Sequence, residues 1–246
     1  FGLTRQLTDE EQRSALHAYM ALCGFLDAQV GRVLQALEDS GQSQDTLVVY
    51  TSDHGESAGA HGLWFKHLMN EESVGVPLFV AGPGVAAGET NDNPVSHIDL
   101  LPTILQWAGV SDSSLQSSPG VSLLDTAALG GANRPVMAEY HANGSTGASF
   151  MLRHGHFKYI EYVDAPPQLF DLVADPEETD DLAKDENNAA VLAECAGLLR
   201  SICDPAAVDA AAKNDQARRV ADVGGVAAAQ SITVPYTPVP EDLDLD

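Results

Sequence analysis

The order of hydrophobic patterns is the feature that most constrains the fold of this chain. Apolar side chains recur at intervals of three and four over residues 8–40, which predicts a long amphipathic helix. Two short runs rich in β-branched residues follow at 46–51 and 76–81, and a second helical pattern covers 96–109. This is the order of a parallel sheet with helices on its faces, so we predict an α/β domain.

The pattern changes near residue 134. Short strand candidates follow one another at 135–140, 149–153 and 156–163, and His154-Gly155 is a candidate for a two-residue hairpin turn. Helical patterns then cover approximately residues 187–203 and 205–221, before a tail rich in proline and acidic residues. We therefore predict a small antiparallel sheet with a covering helix, followed by a further helix and an extended acidic tail.

The charge of the chain excludes one class of partner. Asp and Glu total 36 against 12 Lys and Arg, which gives a formal net charge of -24. Such a surface repels phosphate backbones, so we expect no nucleic-acid partner. No apolar run approaches the roughly 20 residues of a membrane-spanning helix, so we expect no membrane partner.

The three cysteines do not form a metal-binding or disulfide pattern. Their number is odd and no C-x-x-C motif occurs among them; they are Cys23, Cys195 and Cys203. Cys23 lies on the apolar face of the first predicted helix. We expect buried thiols.

The stretch after the first predicted strand permits two incompatible interpretations. Gly55-Glu56-Ser57-Ala58-Gly59 fits G-x-S-x-G, the turn that exposes a serine nucleophile in α/β-hydrolases. However, Ser57 lies six residues beyond Thr51, and Gly59 and Gly62 interrupt any helix that would follow. Asp99 and His141 could complete a triad in the required order.

The second interpretation is a metal site. Asp53 and His54 follow the predicted strand directly, and in α/β sheets functional sites form beyond the carboxyl ends of strands. A carboxylate followed by an imidazole can present both side chains to one divalent cation. Lys66 lies within reach of the same site as a compact positive charge for an anionic substrate.

Several longer segments resemble the second half of a sulfatase catalytic domain. They agree in order and spacing over most of residues 8–200, and Glu139-Tyr140-His141 resembles the choline-sulfatase-like branch. The segments that carry the resemblance are T46-L-V-V-Y-T-S-D-H-G-E56, H61-G-L-W-F-K66, E71-E-S-V-G-V-P-L-F-V80, S96-H-I-D-L-L-P-T-I-L105, R153-H-G-H-F-K-Y-I160 and L169-F-D-L-V-A-D-P-E177.

The resemblance implies an alkaline-phosphatase-like fold, a mixed α/β sheet sandwiched by helices with a smaller C-terminal antiparallel subdomain. Residues 1–133 would be the C-terminal portion of the catalytic domain, 134–204 the small α+β subdomain, and 205–246 the helix and acidic tail.

The resemblance also implies roles for individual residues. Asp53 and His54 would bind a divalent cation, Ca²⁺ or Mn²⁺, and Lys66 would contact the sulfate oxygens as a catalytic residue. His61 either lines the pocket, where it would be catalytic, or packs the loop. His141 would enter the substrate pocket. The substrate would be a small sulfate ester, and the acidic tail could pack on a neighbouring subunit in an oligomer.

One departure from the family limits this hypothesis. Sulfatases carry a C/S-x-P-S/T-R motif whose Cys or Ser becomes the formylglycine nucleophile, and none of the three cysteines stands in such a motif. Because the chain begins at Phe1, we expect a fragment whose N-terminal part supplies the nucleophile, and we expect the chain alone to be inactive. Cytoplasmic and periplasmic locations are both compatible with this sequence. The alternatives are a phosphonate or phosphodiester hydrolase of the same superfamily, a serine esterase using Ser57, and a non-catalytic remnant.

Overall fold

A computed structural model describes residues 7–66, 68–110, 119–125, 134–141 and 145–232. The predicted acidic tail, residues 235–246, lies outside these ranges. The chain divides between Cys203 and Asp204 into two compact units. The first unit contains α1 (Asp9–Asp39), β1 (Val48–Thr51), α2 (Glu71–Val74), β2 (Leu78–Ala81), α3 (Leu100–Trp107), β3 (Val136–Tyr140), β4 (Ser149–His154), β5 (Phe157–Tyr162), β6 (Ala165–Asp171) and α4 (Ala189–Ile202), and the second unit contains α5 (Pro205–Asp222) and α6 (Val226–Ser231).

Helix α1 confirms the long helix predicted for residues 8–40. Thr8 and Glu11 form a capping box at its start, which satisfies backbone donors that have no partner within the helix. Gly41 follows its end with a φ of 71°, a left-handed conformation that glycine adopts without strain.

The apolar face of α1 is exposed rather than covered. Met20 and Phe25 each retain 65% of their accessible surface, and no residue of the helix is buried by the part of the chain that the structure describes. Cys23, on the same helix, is exposed, so the prediction of a buried thiol is wrong there; Cys195 is buried as predicted.

The first sheet consists of β1 and β2, which pair antiparallel with Thr51 opposite Leu78. The prediction of a parallel arrangement is therefore wrong for this pair. Parallel neighbours need a crossover that is usually a helix. Among its described residues, the connection here contains only the one-turn α2 and a short 3₁₀ turn at Ala60–Gly62. As a consequence, the chain leaving β1 and the chain entering β2 meet at one edge of the sheet.

The second sheet has the strand order β3-β4-β5-β6, antiparallel throughout, and confirms the predicted C-terminal sheet. Its two central strands supply fully buried side chains such as Phe150, Leu152 and Ile160. Helix α4 packs against these strands and buries Cys195 and Leu199. The sheet and its covering helix thus form the main core of the first unit.

Two details of this sheet differ from what the sequence pattern predicts. His154 pairs with Phe157, so the hairpin turn is Gly155-His156, one residue later than predicted. Strand β6 has no counterpart among the predicted strands, because Pro166 and Pro167 argue against a strand; it lies at the edge of the sheet, where a missing backbone donor is tolerated.

No helix within the described ranges combines the length and the apolar character needed to cross a membrane.

Candidate active site

The loop between β1 and α2 is folded back on itself by a short set of hydrogen bonds. The Glu56 carboxylate accepts from the backbone N–H groups of Phe65 (2.6 Å) and Ala58 (3.2 Å). The Ser57 N–H donates to the Phe65 carbonyl at 2.9 Å. These bonds hold the two arms of the loop together and fix the position of Lys66, the next residue.

Three non-glycine residues of this loop have left-handed backbone conformations. The φ angles are 48° for Ala58, 52° for His61 and 74° for Phe65. Each such residue costs about 1–3 kcal/mol and persists only where the surrounding structure imposes it. The loop that carries Lys66 is therefore held in a defined, strained shape.

Asp53 and His54 lie side by side directly after β1. His54 Nε2 is 3.4 Å from Asp53 Oδ2, and His54 Nδ1 is 2.8 Å from the carbonyl oxygen of Gly55. A carbonyl only accepts, so Nδ1 carries a proton and donates to it. His54 Nε2 then faces the Asp53 carboxylate and carries either a proton or a lone pair. With a lone pair, Nε2 and the carboxylate can both bind a cation that lies between them.

The environment of Asp53 stabilises its ionised form. Desolvation acts to raise the pKa of Asp53, but the charge of His54, the backbone hydrogen bonds to the carboxylate and the charge of Lys66 outweigh it and lower the pKa below its ordinary value. The side chain is 85% exposed, so it is accessible to a ligand.

Asp53, His54 and Lys66 line one cavity of about 550 Å³. Its walls come from the end of β1, the segment that enters β2, residues 92–97, and strands β3 and β4. The volume is sufficient for a small organic ligand. Ionisable side chains that line the cavity besides these three belong to Glu71, Asp92, His97, Glu139, Tyr140 and Arg153.

His61 and His141 do not line this cavity. His61 Nε2 lies 3.5 Å from Asn70 Nδ2 and 3.8 Å from Glu72 Oε2. The His141 ring packs edge-on against Phe150 with the centroids 5.3 Å apart, and its Nε2 is 3.5 Å from Glu139 Oε2. Of the two roles considered for His61, the geometry favours packing of the loop.

The residues required for a serine esterase are not assembled. Ser57 is only 3% exposed, and its hydroxyl has no hydrogen-bond partner among the described residues. Asp99 is fully buried and bound by Arg134 through two hydrogen bonds of 2.7 and 2.8 Å. It also accepts from the backbone N–H groups of Ser96 and Val121, so its carboxylate has a structural role.

Sequence reasoning missed one buried charge. The place of Lys158 on a hairpin strand predicts a surface residue, but Lys158 is fully buried in β5. Its ammonium donates to the Met69 carbonyl (3.1 Å) and pairs with Glu71 Oε1 (2.5 Å) and Glu178 Oε1 (2.9 Å). The neighbours Phe157, Tyr159 and Ile160 are apolar or aromatic, but Glu161 lies in the same strand, so the local pattern did not distinguish Lys158 from a surface lysine.

Asp53 and His54 suit a divalent cation by their chemistry, because carboxylate oxygen and imidazole nitrogen are its usual ligands. A structural or catalytic cation needs at least three or four ligands, so these two residues constitute part of a coordination sphere.

Comparison with known proteins identifies the family of this chain. The chain matches the Sulfatase family over residues 4–110 and the family "N-sulphoglucosamine sulphohydrolase, C-terminal" over residues 59–203, more than half of its length. The choline-sulfatase of Rhizobium meliloti (strain 1021) is 37% identical over 219 residues, which cover 87% of this chain and 42% of that protein.

Two solved structures are also similar. A 2-O GAG sulfatase superposes with a TM-score of 0.69 and 30% identity over 80% of this chain and 44% of its own. The phosphonate monoester hydrolase from Silicibacter pomeroyi has the same TM-score and identity, with 80% and 42% coverage. The chain spans less than half the length of each of these proteins. It belongs to the sulfatase family and has the corresponding alkaline-phosphatase-like fold.

Proposed function

We propose that this chain forms the cation- and sulfate-binding part of a sulfuric ester hydrolase that acts on a small sulfated substrate. The observation that carries the proposal is the meeting of Asp53, His54 and Lys66 in one cavity at the edge where β1 ends. Residues 1–133 would belong to the catalytic domain, and the later residues to the C-terminal subdomain and tail.

Within this proposal, Lys66 binds the substrate and acts in catalysis. Its ammonium would donate hydrogen bonds to the non-bridging sulfate oxygens and balance the negative charge of the ester group. Countercharge that is already in place before the reaction stabilises the transition state more than charge that must reorient. The hydrogen bonds around Glu56 hold the loop in this position.

Asp53 and His54 would hold the divalent cation, Ca²⁺ or Mn²⁺. When bound, such a cation supplies Lewis-acid stabilisation of negative charge beside the ester. The Gly55 carbonyl orients the His54 ring through Nδ1, which leaves Nε2 as the ligand atom. The imidazole favours Mn²⁺, whereas an oxygen-rich remainder of the site would favour Ca²⁺.

The nucleophile would be a formylglycine supplied by a segment outside these 246 residues. Two observations support this part of the proposal: the chain spans 42% of the choline-sulfatase, and the apolar face of α1 is exposed. The chain alone is then expected to lack sulfatase activity. Sequencing the source DNA upstream of Phe1 tests this: an in-frame C/S-x-P-S/T-R motif is expected, and a complete reading frame without one would contradict it.

A phosphonate monoester hydrolase is a second candidate, favoured by the likeness to the Silicibacter pomeroyi enzyme. The same cation and ammonium would serve phosphoryl transfer. The ratio of kcat/KM for 4-nitrophenyl sulfate and 4-nitrophenyl phenylphosphonate, measured on the complete reading frame, separates the two. We expect a higher kcat/KM for the sulfate. A higher kcat/KM for the phosphonate would make the phosphonate monoester hydrolase the leading candidate.

His61 and His141 are the two sequence-predicted site residues that stand apart from the cavity. Because neither lines it, we propose that His61 supports the Lys66 loop and that His141 supports the cavity wall next to Glu139.

A further inference from the structure

A second group of ligand-type side chains lies outside the cavity of the proposed active site. His61 from the Lys66 loop, Glu72 from α2 and Glu178 from the loop after β6 each place one nitrogen or oxygen atom within 4.8 Å of the other two. His61 Nε2 and Glu72 Oε2 approach to 3.8 Å. Three segments far apart in the sequence therefore converge on one point.

The negative charge at this point exceeds the positive charge that the neighbouring residues provide. Glu178 is 4% exposed; its Oε2 accepts from the Glu71 N–H at 2.6 Å, and its Oε1 lies 2.9 Å from the Lys158 ammonium. The same ammonium is shared with the Glu71 carboxylate at 2.5 Å. One lysine thus pairs with two carboxylates, those of Glu71 and Glu178, and Glu72 adds a third carboxylate beside His61. Of these, Glu178 is shielded from water, and a buried carboxylate requires a countercharge.

The backbone supports a fixed arrangement of two of these ligands. His61 and Glu178 both have a φ of 52°, in the left-handed region that non-glycine residues seldom occupy. Each conformation costs about 1–3 kcal/mol, so the surrounding structure holds both residues where their side chains converge.

We propose that His61, Glu72 and Glu178 bind a divalent transition-metal ion, with Zn²⁺ as the best fit. One imidazole and two carboxylates form a three-ligand set of the kind that Zn²⁺ accepts, with a fourth position for water. Bond lengths of about 2.0–2.2 Å place tetrahedral ligands roughly 3.4 Å apart, so the observed spacing needs only small side-chain rotations. The imidazole disfavours Ca²⁺, which takes oxygen ligands.

The ion would join the Lys66 loop to α2 and to the loop after β6. His61 makes a long contact of 3.5 Å with Asn70 in its present position, and metal coordination would replace that weak contact. Binding is therefore expected to stabilise the first unit and to restrict motion of residues 57–65. The proposal concerns a site separate from Asp53 and His54, so it does not depend on the proposed function.

The test uses the full chain carrying Asp53→Asn and His54→Ala, so that the proposed active-site ligands are absent. Equilibrium dialysis against buffered Zn²⁺ should give about one bound ion per chain. Adding Glu72→Gln should weaken the affinity at least about tenfold, since even the loss of an outer-shell partner costs 10–100-fold. Glu139→Gln is the matched control, because Glu139 lies 3.5 Å from His141 and so forms a glutamate–histidine pair outside this three-ligand group. The Zn²⁺ affinity of the Glu139→Gln chain should be unchanged.

A second measurement does not rely on the Glu72 variant folding well. Co²⁺ bound to the Asp53→Asn/His54→Ala chain should give a visible absorption band, which His61→Asn removes while circular dichroism shows retained structure. The proposal is overturned if Zn²⁺ binding disappears with Asp53→Asn/His54→Ala alone, or if Glu72→Gln and Glu139→Gln bind Zn²⁺ equally well.

Discussion

The Lys158 ammonium lies 2.9 Å from Glu178 Oε1, and both side chains are shielded from solvent almost completely. This ion pair joins the central strand β5 to the loop after β6. A further bond from Lys158 to the Met69 carbonyl ties both to the segment that follows Lys66. A buried charge network thus connects the C-terminal sheet to the proposed active site.

Replacing Lys158 by Met should destabilise the chain strongly. Glu178 would remain buried without its countercharge, and removal of one partner of a buried pair costs about 3–5 kcal/mol. Urea unfolding of the full chain measures the change. Arg219→Met is the control: Arg219 forms an ion pair with Asp215 in which the two side chains are 77% and 35% exposed, and exposed pairs contribute about 0–1 kcal/mol. Equal effects of the two substitutions would contradict the account.

The Asp99–Arg134 pair should make stability dependent on pH in the acidic range. Burial acts to raise the pKa of Asp99, but the hydrogen bonds from Arg134 and from the backbone of Val121 and Ser96 outweigh it and lower the pKa. Because the folded pKa lies below the unfolded value of about 3.9, the stabilisation is present above that value and is lost as the pH falls through the folded pKa.

The measurement is the free energy of unfolding as a function of pH for the wild type and Asp99→Asn. The difference between them should be constant near neutral pH and should shrink as the pH falls below about 4. Asp45→Asn is a control, since Asp45 lies in a short surface turn. A difference that grows on acidification would contradict the assigned role of Asp99.

Two glycine substitutions should have opposite effects on stability. A Cβ atom at Gly82 would lie 2.6 Å from the Thr46 carbonyl oxygen, and its φ of +144° is unfavourable for other residues. Gly82→Ala should therefore cost about 1–3 kcal/mol. Gly31 lies inside α1, where an added Cβ would meet no atom within 4 Å, so Gly31→Ala should stabilise by about 0.5–1 kcal/mol. Thermal unfolding of the two variants shows whether each substitution raises or lowers the stability. A loss of stability in Gly31→Ala would count against the helix assignment.

The thiols should differ sharply in reactivity. Cys23 is exposed, whereas Cys195 is fully buried and desolvation by its surroundings raises its pKa to about 11. Because the thiolate is the reactive species, a thiol reagent should modify Cys23 in the native chain and Cys195 only after unfolding. Mass spectrometry of the labelled peptides identifies the sites; rapid native labelling of Cys195 would contradict the packing of α4.

Local patterns predicted the elements better than their partners. The capping box of Thr8 and Glu11 and the glycine at position 41 marked both ends of α1 correctly, because these interactions lie within a few residues. The antiparallel pairing of β1 with β2 was not predictable in this way, because the direction of β2 depends on the path of the whole connecting segment.

In the candidate site, too, features set by local sequence were predictable and features set by long-range contacts were not. Asp53, His54 and Lys66 were singled out by their position after a strand and by the resemblance, and the structure brings them to one cavity. The burial of Lys158 and the convergence of His61 with Glu178 depend on contacts between residues separated by about a hundred positions along the chain. No local pattern records such contacts.

The most direct test of the proposed function is the hydrolysis of 4-nitrophenyl sulfate by the complete reading frame in two variants, Lys66→Ala and Ser57→Ala. If Lys66 balances the charge of the sulfate group, kcat/KM should fall about 10²–10³-fold in Lys66→Ala, as expected for loss of an electrostatic stabiliser. Ser57→Ala should stay close to wild type. Loss of activity in Ser57→Ala together with retained activity in Lys66→Ala would contradict the sulfatase mechanism and favour the serine esterase.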